Sequence, residues 1–98
     1  MTHRLKTLDS VNVIHFPDRF DASQMIRMKS RLSRLLNRHP KMLLLDLTET
    51  REIKLAGLGM LIERLGRASN GTGVRFTNAS PVVCRTLARA GVDGLIAS

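Results

Sequence analysis

The run Met42-Leu43-Leu44-Leu45-Asp46-Leu47 constrains the fold of this chain more than any other segment. It is nearly continuous apolar sequence of strand length, the pattern of a strand covered on both faces, and it lies between two stretches of helical periodicity. Such a strand takes a central place in a sheet. Upstream, Val11 to Phe16 is a second strand, rich in β-branched residues. A helix separates the two, so their pairing within one sheet is parallel and the connection a crossover.

That helix is predicted over Ala22 to Arg38, where Met25, Met28, Leu32, Leu35 and Leu36 recur at helical spacing. Pro17-Asp18 breaks the preceding strand, and either Asp21 or Ser23 can cap the helix by accepting a backbone hydrogen bond. His39-Pro40 ends it, because proline disfavours helical geometry in the residue before it. At about 100° per residue, Arg27, Arg31, Arg34 and Arg38 share the side opposite the apolar stripe.

A second helix is expected from about Leu55 to Ala68, with Leu58, Leu61, Ile62 and Leu65 on one side and Ser69-Asn70-Gly71 at its end. Val74 to Thr77 reads as a short strand. Ser80-Pro81 opens a third helix, serine in the capping position and proline in the first turn, with Val83, Leu87 and Ala90 toward the core and Gly91 as the stop. Val92 to Ser98 leaves room for one short strand or a tail. At the other end, His3 to Leu8 reads as a strand joined to Val11–Phe16 by an Asp9-Ser10 turn, a hairpin. Neither a repeat nor a linker interrupts the 98 residues, so one domain spanning residues 1–98 around one modest core is expected.

Lysine and arginine number 16 against 8 acidic residues, a net charge of +8 that could attract nucleic acid, anionic lipid or an acidic protein face. Phe16, Phe20 and Phe76 are the only aromatic residues, too few to stack single-stranded nucleic acid, which argues against that partner. No apolar run approaches the roughly 20 residues of a membrane helix, and Met1-Thr2-His3-Arg4-Leu5-Lys6 lacks the features of a secretory signal. A cytoplasmic protein is expected. Cys84 alone cannot form an internal disulfide and reads as a small apolar helix residue. His3, His15 and His39 have no paired ligand spacing, so no metal or other cofactor is expected.

Catalytic patterns are missing as well. The sequence contains no Gly-x-Ser-x-Gly, no Gly-x-x-x-x-Gly-Lys-Ser/Thr and no His-Glu-x-x-His. Gly71-Thr72-Gly73 lies between a helix and a strand, whereas a dinucleotide loop joins strand to helix, so it reads as a turn. Asp46, Glu49 and Glu52 could form a carboxylate pair, but no base or nucleophile is fixed beside them. A non-catalytic protein is expected.

Three segments in order carry a resemblance: Asp18-Arg19-Phe20-Asp21-Ala22, Leu43-Leu44-Leu45-Asp46-Leu47-Thr48 and Ala56-Gly57-Leu58-Gly59-Met60-Leu61. Together with Asn78-Ala79-Ser80-Pro81 and Leu87-Ala88-Arg89-Ala90-Gly91 they resemble the STAS domain, the fold of bacterial anti-sigma factor antagonists. The resemblance implies an α/β fold, a mixed β-sheet of about four to five strands with three helices packed mainly on one side. It also implies a partner-switching role, in which the domain binds an anti-sigma factor kinase. In that family the second helix commonly begins Asp-Ser-Ser/Thr-Gly-Leu, and the hydroxyl after the aspartate is phosphorylated to end binding. Here the aligned residues are Lys54-Leu55-Ala56-Gly57-Leu58, so Leu55 holds the acceptor position without a hydroxyl. Leu55 either packs in the core or leaves a docking surface that is fixed in one state or controlled by another route; Thr48 and Thr50 are nearby hydroxyls with nothing more to mark them as modified.

Three functional readings follow. In the first, an antagonist-like module binds a kinase-like regulatory protein through Asp18, Arg19, Phe20, Asp21, Lys54, Leu55, Ala56, Gly57 and Leu58 and the exposed side of the second helix, without phosphorylation at the usual place. In the second, resembling short STAS proteins that attach to lipid-transporting ABC systems and likewise end soon after the third helix, the apolar sides of the second and third helices meet a transporter ATPase subunit. In the third, Arg27, Arg31, Arg34 and Arg38 bind an anion or nucleic acid. Monomer and homodimer both remain open.

Overall fold

The computed structural model describes residues 11–68 and 71–97. In chain order the elements are β1 (Val11–His15), β2 (Arg19–Phe20), α1 (Ala22–Asn37), β3 (Met42–Asp46), β4 (Glu52–Ile53), α2 (Leu55–Ala68), β5 (Gly73–Thr77), α3 (Pro81–Arg89) and a 3-10 turn at Asp93–Leu95. The expected strand at His3 to Leu8 and its hairpin lie outside the described residues.

Local chemistry accounts for the helix boundaries. Asp21, rather than Ser23, caps α1: its backbone is extended and its carboxylate accepts from the Gln24 N–H at 2.9 Å. Beyond the last turn His39 takes φ +52, a left-handed conformation that stops the helix immediately before Pro40. Ser80 caps α3 by accepting from Val83 N–H, and Gly91 ends that segment at φ +76, where a side chain would be strained.

Strands β1, β3 and β5 form one sheet with β3 in the centre, and both pairings are parallel. Register places Ile14, Leu45 and Phe76 in one row, all buried, with Leu43 two residues back on the same face. Met25, Met28, Leu32 and Leu36 of α1, Leu58, Leu61 and Leu65 of α2, and Val83 and Leu87 of α3 join these residues in one core. All three helices therefore spend their apolar sides on the same sheet face. Burial of these side chains, at about 1.5–3 kcal/mol each, is the main force holding helices to sheet.

The opposite sheet face corrects one expectation. Met42 and Leu44 are half-buried, and beside them Val11 and Val13 are about half exposed, so the described residues do not cover β3 on both faces as its unbroken apolar run suggested. After α3 the chain forms the 3-10 turn and returns to the sheet edge, where Ile96 bridges Phe76 in parallel and Ala97 N–H donates to the Phe76 carbonyl.

Candidate docking site

Two segments 30 residues and more apart in sequence become one surface through the smallest elements of the fold. β2 and β4 pair in parallel, Arg19 opposite Glu52 and Phe20 opposite Ile53. Arg51 and Glu52 N–H groups both donate to the Asp18 carbonyl, and Lys54 N–H donates to the Phe20 carbonyl at 2.8 Å. Thr50, almost fully buried, adds a hydroxyl bond to the Pro17 carbonyl at 2.8 Å. The loop before α1 is thereby zipped to the loop before α2.

Gly57 brings the two helix starts together. A β-carbon added there would lie 2.5 Å from the Asp21 carbonyl carbon and 2.7 Å from its oxygen. Both are backbone atoms that cannot step aside as a side-chain tip could, so only glycine permits this approach of α2 to the loop that caps α1.

A charge pattern covers the joined segments. Arg51 holds Asp18 in a two-pronged contact, Nε to Oδ1 at 2.6 Å and Nη2 to Oδ2 at 2.8 Å. That bond holds the Asp18 carboxyl below its ordinary value. Arg19 lies between Glu52 at 3.4 Å and Asp21 at 3.9 Å, while the Lys54 ammonium meets Glu52 at 3.0 Å and lowers its pKa. Exposed pairs of this kind contribute little to stability, but they fix where charges stand. Next to them Leu55 is 53% exposed, and Leu55, Ala56, Gly59 and Met60 make the solvent side of the first two turns of α2 apolar and low in relief.

Of the nine residues expected to bind a partner, Asp18, Arg19, Asp21, Lys54, Leu55 and Ala56 are at this surface. Phe20, Gly57 and Leu58 are not available to a partner: Phe20 and Leu58 are 0% exposed and Gly57 is closed off by Asp21. They shape the surface from beneath. Leu55, at the position aligned with the family's phosphosite, stands at the surface, which excludes its packing in the core. Of the apolar sides of α2 and α3, expected to meet an ATPase subunit, Leu58, Leu61, Leu65, Val83 and Leu87 are in the core, while Ile62 is half-buried and lines an open apolar cleft with Leu65, Val74, Val92 and Leu95. Thr50 is buried and its hydroxyl is committed to Pro17. Arg51 and Glu52 belong to the surface and were missed; the only sequence signal was Glu52 and Lys54 two apart on one side of a short strand. Arg27, Arg31, Arg34 and Arg38 are exposed on α1, away from this cluster.

A second polar group gathers at the carboxyl ends of β1 and β3. Asp46 Oδ1 accepts from the Thr48 hydroxyl at 2.5 Å, the Thr48 N–H at 3.1 Å and the Asn78 amide at 3.1 Å, and Oδ2 lies 2.7 Å from His15 Nδ1. The Thr48 hydroxyl first, then the Asn78 amide, hold the Asp46 carboxyl far below the usual carboxylate range, against burial that pushes it up. Asp46 and Glu52 thus answer to different partners, while Glu49 lines the same shallow cleft as Asp46 and His15. All the hydroxyl and amide donors point at Asp46, an arrangement that ties three strand ends together.

A carboxyl whose folded pKa is depressed adds stability above its ordinary value of 3.8, and loses it as pH falls toward the folded value. Replacing Asp46 by Asn should therefore lower stability by about 1–2 kcal/mol near pH 7. The difference from wild type should shrink at about pH 3, below the ordinary Asp pKa. Urea midpoints of both proteins at the two pH values measure this; a gap that does not change with pH would mean the ionised form is not what the donors stabilise.

With the geometry in place, comparison with known proteins defines the class. The sequence matches the family described as "Mlab, STAS domain" over residues 3–97, and the chain belongs to that family. Among solved structures it is similar to the anti-sigma factor antagonist SpoIIAA in its unphosphorylated form, with a TM-score of 0.73 and 15% identity over 90% of this chain and 79% of that one. It is also similar to a sulfate transporter family protein from Wolinella succinogenes, with a TM-score of 0.75 and 19% identity over 89% of this chain and 75% of that one. At such identities the likeness is one of fold. A search among curated proteins gives no match. No helix among the described residues is long and apolar enough to cross a membrane.

Proposed function

We propose that this STAS domain is a non-catalytic protein-docking module that is held permanently in its binding state. The observation that carries the reading is the exposure of Leu55 at the first position of α2, on a surface locked by Gly57 against Asp21. A phosphorylated hydroxyl there would add about −1.5 to −2 charge at a helix N-terminus. Leucine offers apolar area instead, which favours continuous contact with a partner's apolar patch. Asp18, Arg19, Arg51, Glu52 and Lys54 would form the polar rim that sets orientation, as rim charges do at protein interfaces. The partner in this reading is a kinase-like regulatory protein of the kind an anti-sigma factor antagonist binds.

A second partner class is supported by the Mlab family match and the likeness to a transporter's STAS domain: the ATPase subunit of a transporter, with this chain as an accessory subunit in the cytoplasm. A surface that cannot be phosphorylated suits a permanent subunit.

The test is affinity purification of the full chain from its native cell beside a Leu55→Glu variant. Leu55→Glu should reduce affinity for the recovered partner at least on the order of tenfold, since a buried unpaired carboxylate is costly. Because Leu55 is exposed in the free domain, the melting point should reflect a change of no more than about 0.5 kcal/mol. Equal recovery with both proteins would remove this surface from the interface and end the proposal. Identification of the partner as a kinase-like regulator or as a transporter ATPase separates the two readings. Lys54→Glu, which also breaks the contact with Glu52, should weaken the same complex.

A further inference from the structure

Charge is unevenly distributed over the fold. Helix α1 carries Arg27, Lys29, Arg31 and Arg34, with Arg38 as its C-cap, and has no acidic residue between Ala22 and Asn37. None of these five cations has a carboxylate within 4 Å among the described residues, whereas every ion pair that is made lies elsewhere. Asp18, Asp21 and Glu52 are engaged at the β2–β4 surface, Asp46 at the carboxyl end of the sheet, and Glu63 with Arg67 on α2. Five of the basic residues behind the net charge of +8 therefore stand together on one helix without a carboxylate partner among the described residues, while Lys41, Arg64, Arg75, Arg85 and Arg89, also without one, are spread over other elements.

The arrangement of α1 fits a flat anionic surface. Arg27, Arg31, Arg34 and Arg38 follow one another at spacings of four, three and four, which sets them in a single row about 16 Å long. The opposite side, Met25, Met28, Leu32 and Leu36, is fixed in the core, so the helix cannot turn over. Ile26, 64% exposed, stands on the same solvent-facing half of the helix, an apolar side chain turned to water. Guanidinium groups with an adjacent exposed aliphatic group match phosphate headgroups above an acyl boundary. Nucleic acid fits less well: Phe16, Phe20 and Phe76 are all buried, leaving no ring to stack a base, and Ile26 would face phosphate.

We propose that the outer face of α1, Arg27, Arg31, Arg34 and Arg38 with Ile26, docks on an anionic lipid bilayer surface. The contact is peripheral, with Ile26 entering the headgroup boundary and the remainder of the domain staying outside. It leaves the surface at Leu55 and Lys54 open, so the domain can hold a protein partner next to a membrane. The proposal does not depend on the docking reading above.

Co-sedimentation of the full chain with vesicles tests it. Vesicles of phosphatidylcholine with phosphatidylglycerol should bind the chain, and vesicles of phosphatidylcholine alone should not. Binding should fade as added salt shortens the Debye length from about 10 Å to about 3 Å. The double variant Arg27→Glu with Arg31→Glu should lose on the order of a hundredfold or more in affinity, since each basic residue near an anionic surface contributes roughly fivefold and each reversal changes two charges. Arg27→Gln with Arg31→Gln, which removes charge but keeps helix-forming side chains, should lose roughly tenfold or more. Arg85→Glu with Arg89→Glu on α3 changes net charge as much as the first variant and should lose far less. Ile26→Ser should weaken lipid binding several-fold. Absence of binding to the anionic vesicles at low salt would overturn the proposal, as would equal losses in the α1 and α3 variants. Complete displacement from vesicles by duplex DNA at equal phosphate concentration would overturn it in favour of nucleic acid.

Discussion

Gly57→Ala should lower the melting temperature by about 10 °C, while Gly59→Ala two residues along the same helix should raise it by a few degrees. Helix propensity alone predicts a gain of up to about 1 kcal/mol for both. At Gly59 nothing lies within 4 Å of the added carbon, so the gain is realised. At Gly57 the carbon meets three Asp21 backbone atoms at 2.5–2.9 Å, and overpacking of this kind costs about 1–3 kcal/mol, occasionally more. Relief requires α2 and the β2–α1 loop to separate. Displacing Asp21 also weakens the cap it supplies to Gln24, a further loss of about 1 kcal/mol. The net effect is about 2 kcal/mol of destabilisation, which for a domain of this size corresponds to about 4–8 °C per kcal/mol. Thermal melts of the two variants beside wild type decide the matter. A Gly57→Ala protein as stable as Gly59→Ala would mean that the helix starts are not in register contact, and the docking surface would have to be redrawn.

The contrast between the two glycines shows what the sequence does and does not carry. Periodicity encodes which side of an element is apolar, so Met25, Met28, Leu32 and Leu36 of α1 and Val83 and Leu87 of α3 were legible, as was the cap at Ser80, while the cap of α1 was legible only as Asp21 or Ser23. A six-residue run, apolar except for Asp46, marked β3 as the central strand. β2 and β4, two residues each, leave no periodic trace; they exist because Asp18 and Phe20 carbonyls find N–H groups of a loop more than 30 residues away. The same long-range pairing decides the site. Leu58 was legible both as a motif residue and as part of the apolar side of α2, but only the packing against Asp21 shows that Gly57 is a spacer. Arg51 could not be foreseen as the partner of Asp18, since nothing local relates the two. Likewise the group around Asp46 draws His15 and Asn78 from both neighbouring strand ends, a convergence created by parallel register alone.

Phe20→Ala should be the most damaging single change, at about 3–5 kcal/mol. Phe20 is 0% exposed, and its ring lies 4.7 Å from that of Phe16, tilted at 46°, a geometry that adds attraction beyond burial. Truncation leaves a cavity under the β2–β4 pair, where only two residues from each strand hold the surface together. Against a total stability of about 5–15 kcal/mol for an ordinary domain, the loss is about a fifth at the least and can reach the whole. Urea denaturation should show a lower midpoint with an unchanged slope, since the same surface is exposed on unfolding. Phe20→Leu, which refills most of the volume, should cost less than about 1.5 kcal/mol, so it separates the packing role from any requirement for an aromatic ring. If Phe20→Leu keeps the fold, it should also keep partner affinity, because the side chain acts from beneath the surface and touches no partner. A leucine variant that folds normally but fails to bind would place Phe20 in the interface and contradict its burial.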